Sequence, residues 1–138
     1  MRRENGFTFV EVLIAIIFVG LAIAALVAGN GVFTQGTAVA NEMSVAEFLT
    51  EQIRERTALT GYLSLISTFN NVYSPPRDVQ NNPLSNFAAF SQKITAAYVN
   101  DTNFTQVVGS NENFIRVTAK IYLGTKEISS TSWIRANY

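Results

Sequence analysis

The chain has 138 residues and equal numbers of basic and acidic side chains, ten of each, so its formal charge is zero and it lacks the electrostatic footprint of a nucleic-acid polyelectrolyte. It contains no cysteine and no histidine, which excludes thiol nucleophiles, histidine-based triads, disulfide staples and the common zinc sites; no metal or other cofactor is expected and the chain does not read as an enzyme. At this length one domain is the ceiling, and a long helix through the first third would leave only a small globular part.

Apolar residues crowd into the N-terminal region. After Arg2, Arg3 and Glu4, no charged residue occurs from Val12 to Asn41, and Val12 to Ala28 holds nothing more polar than Gly20. As a helix, that inner stretch of about 17 residues spans roughly 26 Å, a little short of a hydrocarbon core of ~30 Å. Phe7 to Val10 on one side and Gly29 to Phe33 on the other make up the difference. The next basic residue is Arg54, so the positive-inside rule keeps the N-terminus cytoplasmic and exports the chain beyond the helix. An ordinary signal peptide would use Ala22-Ile23-Ala24 as its cleavage site. Two features argue against it: Glu11 places a carboxylate inside the apolar segment, and apolar sequence continues through Ala25-Leu26-Val27-Ala28. An uncleaved signal anchor is the other alternative.

The junction Gly6-Phe7-Thr8-Phe9-Val10-Glu11-Val12-Leu13-Ile14 resembles the N-terminal signal of type IV pilins and type II secretion pseudopilins. There a basic leader ends in Gly, Phe follows, and Glu comes four residues later in an aliphatic helix. The match lies at Gly6, Phe7 and Glu11, with Thr8 also typical, while Phe9 and Val10 are variants of a usually aliphatic pair. The resemblance is strong over about 30 residues and weak beyond them. It implies that a prepilin peptidase cuts between Gly6 and Phe7 and that the new Phe7 amine is N-methylated. It also implies an inner-membrane assembly platform and other pilins or pseudopilins as partners, in a helical fibre that becomes a periplasmic pseudopilus or a cell-surface pilus.

The spacing has a chemistry of its own. A carboxylate in an apolar membrane helix costs about 2.5–3.5 kcal/mol to insert and normally has a partner. With the leader removed, the only cation near Glu11 is the α-amino group that cleavage creates on Phe7. Two unit charges about 4 Å apart in an effective dielectric near 20 attract by roughly 4 kcal/mol, comparable with that cost. Residues four apart share a helix face, so spacing allows pairing within one chain or between two. The resemblance implies the second, with Glu11 of an incoming subunit meeting the terminal amine of one already docked and setting the axial register. A helix start also favours Glu through its dipole alone.

Beyond the apolar segment, Asn30 to about Thr60 continues as helix, with Val32, Gly36, Val39, Met43, Ala46 and Ile53 near a 3.5-residue period and Gly61 as its stop. Glu42, Glu47, Glu51, Arg54, Glu55 and Arg56 form the water-facing side. Pilins of the family often carry a proline at the position of Ala28; here it is absent, and Gly20, Gly29, Gly31 and Gly36 are the weak points.

Tyr62 to Asn86 holds all three prolines and reads as a long loop with at most a short helix around Leu63 to Ser67. Strand signals follow at Lys93 to Val99 and, more weakly, at Thr105 to Val108. From Asn113 to Leu123 the residues Ile115, Val117, Ala119, Ile121 and Leu123 face one way and Arg116, Thr118, Lys120 and Tyr122 the other. Gly124 to Lys126 turns the chain, and Glu127 to Ile134 returns as the partner strand.

The expected architecture is α+β: a leader over 1–6, a long N-terminal helix over 7–61 whose 7–33 part spans the bilayer and polymerises, and a head over 62–138 with a connector loop and a small antiparallel sheet laid on the amphipathic helix. Arg116, Lys120 and Tyr122, joined by Trp133 and Arg135, would form an outer basic and aromatic face such as single-stranded nucleic acid uses. The zero net charge favours a solvated face instead, with nucleic acid not expected as a partner. Asp78, Asp101, Glu112 and Glu127 are scattered singly, so the calcium site of the major pseudopilin is not visible. Neither is the disulfide-closed loop of many major pilins, and both absences favour a minor subunit. The readings are therefore a minor pilin or pseudopilin, a DNA-uptake pseudopilin, or a membrane-anchored binding domain that never polymerises.

Overall fold

The computed structural model describes residues 8–110 and 113–137; Gly6, Phe7 and Glu112 lie outside them. The chain divides into two units, Met1–Ala40 and Asn41–Tyr138. Helix α1, Phe9–Leu59, contributes to both. In the first unit every described residue is exposed, including Leu13, Ile17, Phe18, Leu21 and Leu26. Its most apolar 18-residue window has a mean hydropathy of 2.9. An exposed apolar surface of this size marks a site of contact with a membrane or another protein, and the helix is long and apolar enough to cross a membrane. The four glycines do not interrupt it, since helix runs through Gly20, Gly29, Gly31 and Gly36.

In the second unit α1 packs on an antiparallel sheet of four strands in the order β1-β2-β3-β4: Asn71–Tyr73, Phe90–Tyr98, Phe114–Leu123 and Lys126–Ala136. Ala46, Leu49 and Ile53 of α1 meet Ile94, Ile115, Val117, Ala119 and Ile121 in one core. The alternation expected for β3 is present, with Ile115, Val117, Ala119 and Ile121 buried. The short helix is also there, as a 3₁₀ turn at Tyr62–Ser64 followed by α2, Leu65–Thr68. Leu65 and the following Phe69 plug the end of the core.

Several expectations give way. Of the 3.5-period row, only Ala46 and Ile53 are buried; Val32, Val39 and Met43 are exposed, and Leu49, Arg56 and Thr57 complete the packed face. Arg56 therefore leaves the water-facing set. Its guanidinium lies 5.0 Å from the ring centres of both Phe69 and Tyr73 and donates to the Tyr73 hydroxyl at 3.4 Å, so the aliphatic stem is buried while the charge faces two aromatic π clouds. Helix α1 stops at Leu59, two residues before Gly61, whose φ of −59° is not the left-handed cap. The Thr60 hydroxyl donates to the Arg56 carbonyl there, satisfying one of the orphaned acceptors of the last turn.

The connector contains a strand that its composition hides. Asn71–Tyr73 pairs with β2 in the register Val72↔Lys93. Strand β2 starts at Phe90 instead of Lys93 because the polar Gln92 occupies an inward position with no exposure. Its side-chain oxygen accepts from the Arg77 backbone at 2.8 Å, and its amide donates to the carbonyls of Leu49 and Arg77 at 3.2 and 3.1 Å. One side chain thus ties α1, the connector and the sheet together. Gln92→Leu is expected to cost about 2–3 kcal/mol in urea unfolding, because the Arg77 N–H loses its acceptor. Thr105 to Val108 forms no strand; its pairing is the isolated bridge Val99↔Val107.

The β3–β4 hairpin turns on Gly124-Thr125, with Gly124 at φ +59°, the conformation that the first central residue of a type II′ turn requires. Past the turn the pairing runs Leu123↔Lys126 and Tyr122↔Glu127, then Ile121↔Ser129, so Ile128 is a bulge. That extra residue inverts the parity of the rest of β4. Without it Trp133 would stand opposite Arg116 on the outer face; with it Trp133 pairs with Val117 and Arg135 with Ile115, both inward.

Candidate functional site

The N-terminal site is built around the start of α1. Thr8 is its N-cap: the Thr8 carbonyl accepts from the Val12 N–H at 3.2 Å, and its hydroxyl accepts from the Glu11 N–H at 3.3 Å. Glu11 reaches back in turn, its Oε2 accepting from the Thr8 N–H at 2.8 Å and the Thr8 hydroxyl at 2.9 Å. This is a capping box, which satisfies orphaned helix N–H groups reciprocally. Its pattern, Thr followed three residues later by Glu before an apolar run, was present in the sequence, and it gives Glu11 a neutral hydrogen-bond partner beside the cationic one expected for it. Both bonds use Oε2; Oε1 carries no hydrogen bond among the described residues. Beside Glu11 the same face continues with Val12, Ala15, Ile16 and Val19 as an apolar hollow. Gly6 and Phe7, the junction at which cleavage is expected, lie outside the described residues.

The outer sheet face is less of a site than its composition suggests. Arg116 spends one guanidinium nitrogen on the carbonyls of Phe104 and Thr105, both at 3.1 Å, and so pins the loop before β3. Lys120 bonds the Glu127 carboxylate at 2.8 Å, and the Tyr122 hydroxyl donates to the same oxygen at 3.1 Å. With Trp133 and Arg135 on the opposite face, the five residues do not form one basic and aromatic surface. Among the described residues no group of three or more histidine, cysteine or acidic side chains is placed to hold a metal ion.

The hydrogen bond from Lys120 holds the Glu127 carboxyl below its usual range, and the same bond raises the Lys120 ammonium. The contribution of the depressed carboxyl is present above its ordinary titration range and is lost as pH falls through its folded value. That of the raised ammonium is lost as pH climbs past the lysine range. In an NMR pH titration the Glu127 carboxyl is expected to titrate below its usual value of about 4.5, and Lys120→Ala should raise it toward that value.

The described residues define an α+β protein with one long, uncovered apolar helix near its N-terminus and a sheet-bearing second unit. No family model, curated protein or solved structure matches the chain.

Proposed function

We propose that the chain is a structural subunit, a minor pilin or minor pseudopilin, which a prepilin peptidase processes between Gly6 and Phe7. The N-terminal helix of the mature chain then polymerises from the inner membrane into a type IV pilus or type II secretion pseudopilus, with neighbouring pilins and an assembly platform as partners. The observation that carries the reading is the apolar first unit, exposed throughout, with a carboxylate in its first turn that has one oxygen committed to the cap and one without a hydrogen bond. Beyond the cap itself, a helix meant only for lipid has no use for such a charge, whereas a helix that must find the terminal ammonium of a neighbour does. The capping box favours a second reading, a single-pass anchored domain in which Glu11 serves the helix start alone.

Processing is the first test. Mass spectrometry of the membrane-extracted protein is expected to find N-methylated Phe7 as the first residue, and Gly6→Leu should leave full-length precursor in the inner membrane. A mature chain beginning at Ala25 would establish the ordinary signal peptide, and normal processing of Gly6→Leu would remove the peptidase from the account.

A further inference from the structure

The two edges of the sheet are treated very differently. Strand β1 is three residues long and is followed by Pro75 and Pro76, which blunts that edge. Strand β4 is eleven residues long and pairs only with β3. Its charges sit near its ends, at Lys126, Glu127 and Arg135, and the bulge lies at the start, so Ser129 to Ile134 carries no proline and no charge. Among the described residues no hydrogen bond reaches the outer backbone side of this stretch. Such an edge is a ready template for another strand.

Beside the edge runs a groove of about 430 Å³ between α1 and β4, with Glu47 and Glu51 on the helix side and Ser129 and Thr131 on the strand side. Alternate side chains of an added strand would point into it. Arg54 is committed to Glu51 at 3.6 Å and to the Trp133 ring at 5.6 Å, and Lys126 to Glu42 at 3.0 Å. No cation lies within 4 Å of the Glu47 carboxylate among the described residues. A second copy joined edge to edge would set two acidic rims side by side, which like charges oppose.

We propose that β4 takes up an extended strand of a different polypeptide, one that carries lysine or arginine on the side chains turned toward α1. Backbone pairing along Ser129 to Ile134 supplies the attachment, and the Glu47 carboxylate, which no cation on the described residues neutralises, selects the sign of the incoming side chains. Neither contribution depends on how the N-terminal helix is used.

The test uses the full chain in detergent micelles and two acetylated, amidated peptides, Thr-Val-Thr-Lys-Thr-Lys-Thr-Val-Thr and its analogue with glutamate for both lysines. Trp133 is the only tryptophan, so its emission reports binding, and amide hydrogen exchange locates it. The lysine peptide is expected to slow exchange at Ser129 to Ile134 and to bind about tenfold more tightly than the glutamate peptide, the scale of reversing one or two exposed ion pairs. Glu47→Gln, at an exposed position, should shrink that preference, and Thr131→Lys, which places a cation in the groove from within, should abolish binding of the lysine peptide. Equal binding of the two peptides, or no protection on β4, overturns the proposal. Slow exchange on β4 without peptide that speeds up on dilution would assign the edge to a second copy and overturn it equally.

Discussion

Glu11→Leu is expected to reduce cross-linking between neighbouring helices at least tenfold while leaving cleavage after Gly6 intact. The chain has no cysteine, so cysteines introduced at Val10 and Ala15, in this chain and in co-expressed pilins, report helix contacts without background. As a lipid anchor the leucine variant should insert as well as the parent or better, since the carboxylate costs about 2.5–3.5 kcal/mol in an apolar helix. As an assembling subunit it loses an attraction of roughly 4 kcal/mol for a charge pair about 4 Å apart. The capping box adds a complication, because leucine also removes the bonds to Thr8. Two further variants separate the roles. Glu11→Gln keeps a side chain that serves a capping box but discards the charge, and Thr8→Ala discards the cap, worth about 0.5–2 kcal/mol, but keeps the charge. Under the proposed function Glu11→Gln fails like Glu11→Leu and Thr8→Ala still assembles. If Glu11→Gln assembles and Thr8→Ala does not, capping is what the residue does, and equal cross-linking in all variants would favour the anchored domain.

Phe69→Ala should be the most damaging single change in the second unit. Phe69 is the largest side chain there with no exposure, and emptying such a site costs about 3–5 kcal/mol, transfer and cavity terms together. For a unit of this size, about 4–8 °C of melting temperature is lost per kcal/mol, so a fall of roughly 12–40 °C is expected. The cost should lie toward the upper end, because Arg56, itself nine-tenths buried, rests its guanidinium on the Phe69 ring and would face a void. Phe48 provides the contrast: the residue is 43% exposed and its ring touches Phe87 at a centroid distance of 5.6 Å, so Phe48→Ala should cost about 1 kcal/mol. Thermal unfolding followed by near-ultraviolet circular dichroism in micelles measures both. A shift of under 5 °C for Phe69→Ala would mean that the ring is not the keystone of this core.

The features legible in the sequence are those set by interactions between near neighbours along the chain. An uncharged stretch from Val12 to Asn41 is a helix candidate because its own backbone satisfies its hydrogen bonds and its composition does the rest. The strict alternation of Ile115, Val117, Ala119 and Ile121 specifies both the strand and its buried face, and a single glycine between Leu123 and Lys126 marks the turn. The capping box at Thr8 and Glu11 was equally local, three residues apart.

Where a residue's place depends on a partner from elsewhere in the chain, the tertiary structure decided. Nothing near Arg56 in sequence distinguishes it from the exposed Arg54; its burial depends on Phe69 and Tyr73 arriving from the connector. Strand β1 has only three residues amid asparagines and prolines, and it exists because β2 offers the register Val72↔Lys93. Gln92 breaks the apolar pattern of β2, yet its inward position is stable because Leu49 and Arg77 supply its hydrogen bonds. The bulge at Ile128 settled which face Trp133 and Arg135 occupy, since a parity shift of one residue is invisible to periodicity and inverts every side chain after it. The apolar character of the N-terminal helix and the Gly6-Phe7-Glu11 pattern therefore belong to the sequence by itself. The dismantling of the supposed basic face belongs to the tertiary structure, because strand pairing and loop contacts alone determine where each of its side chains points.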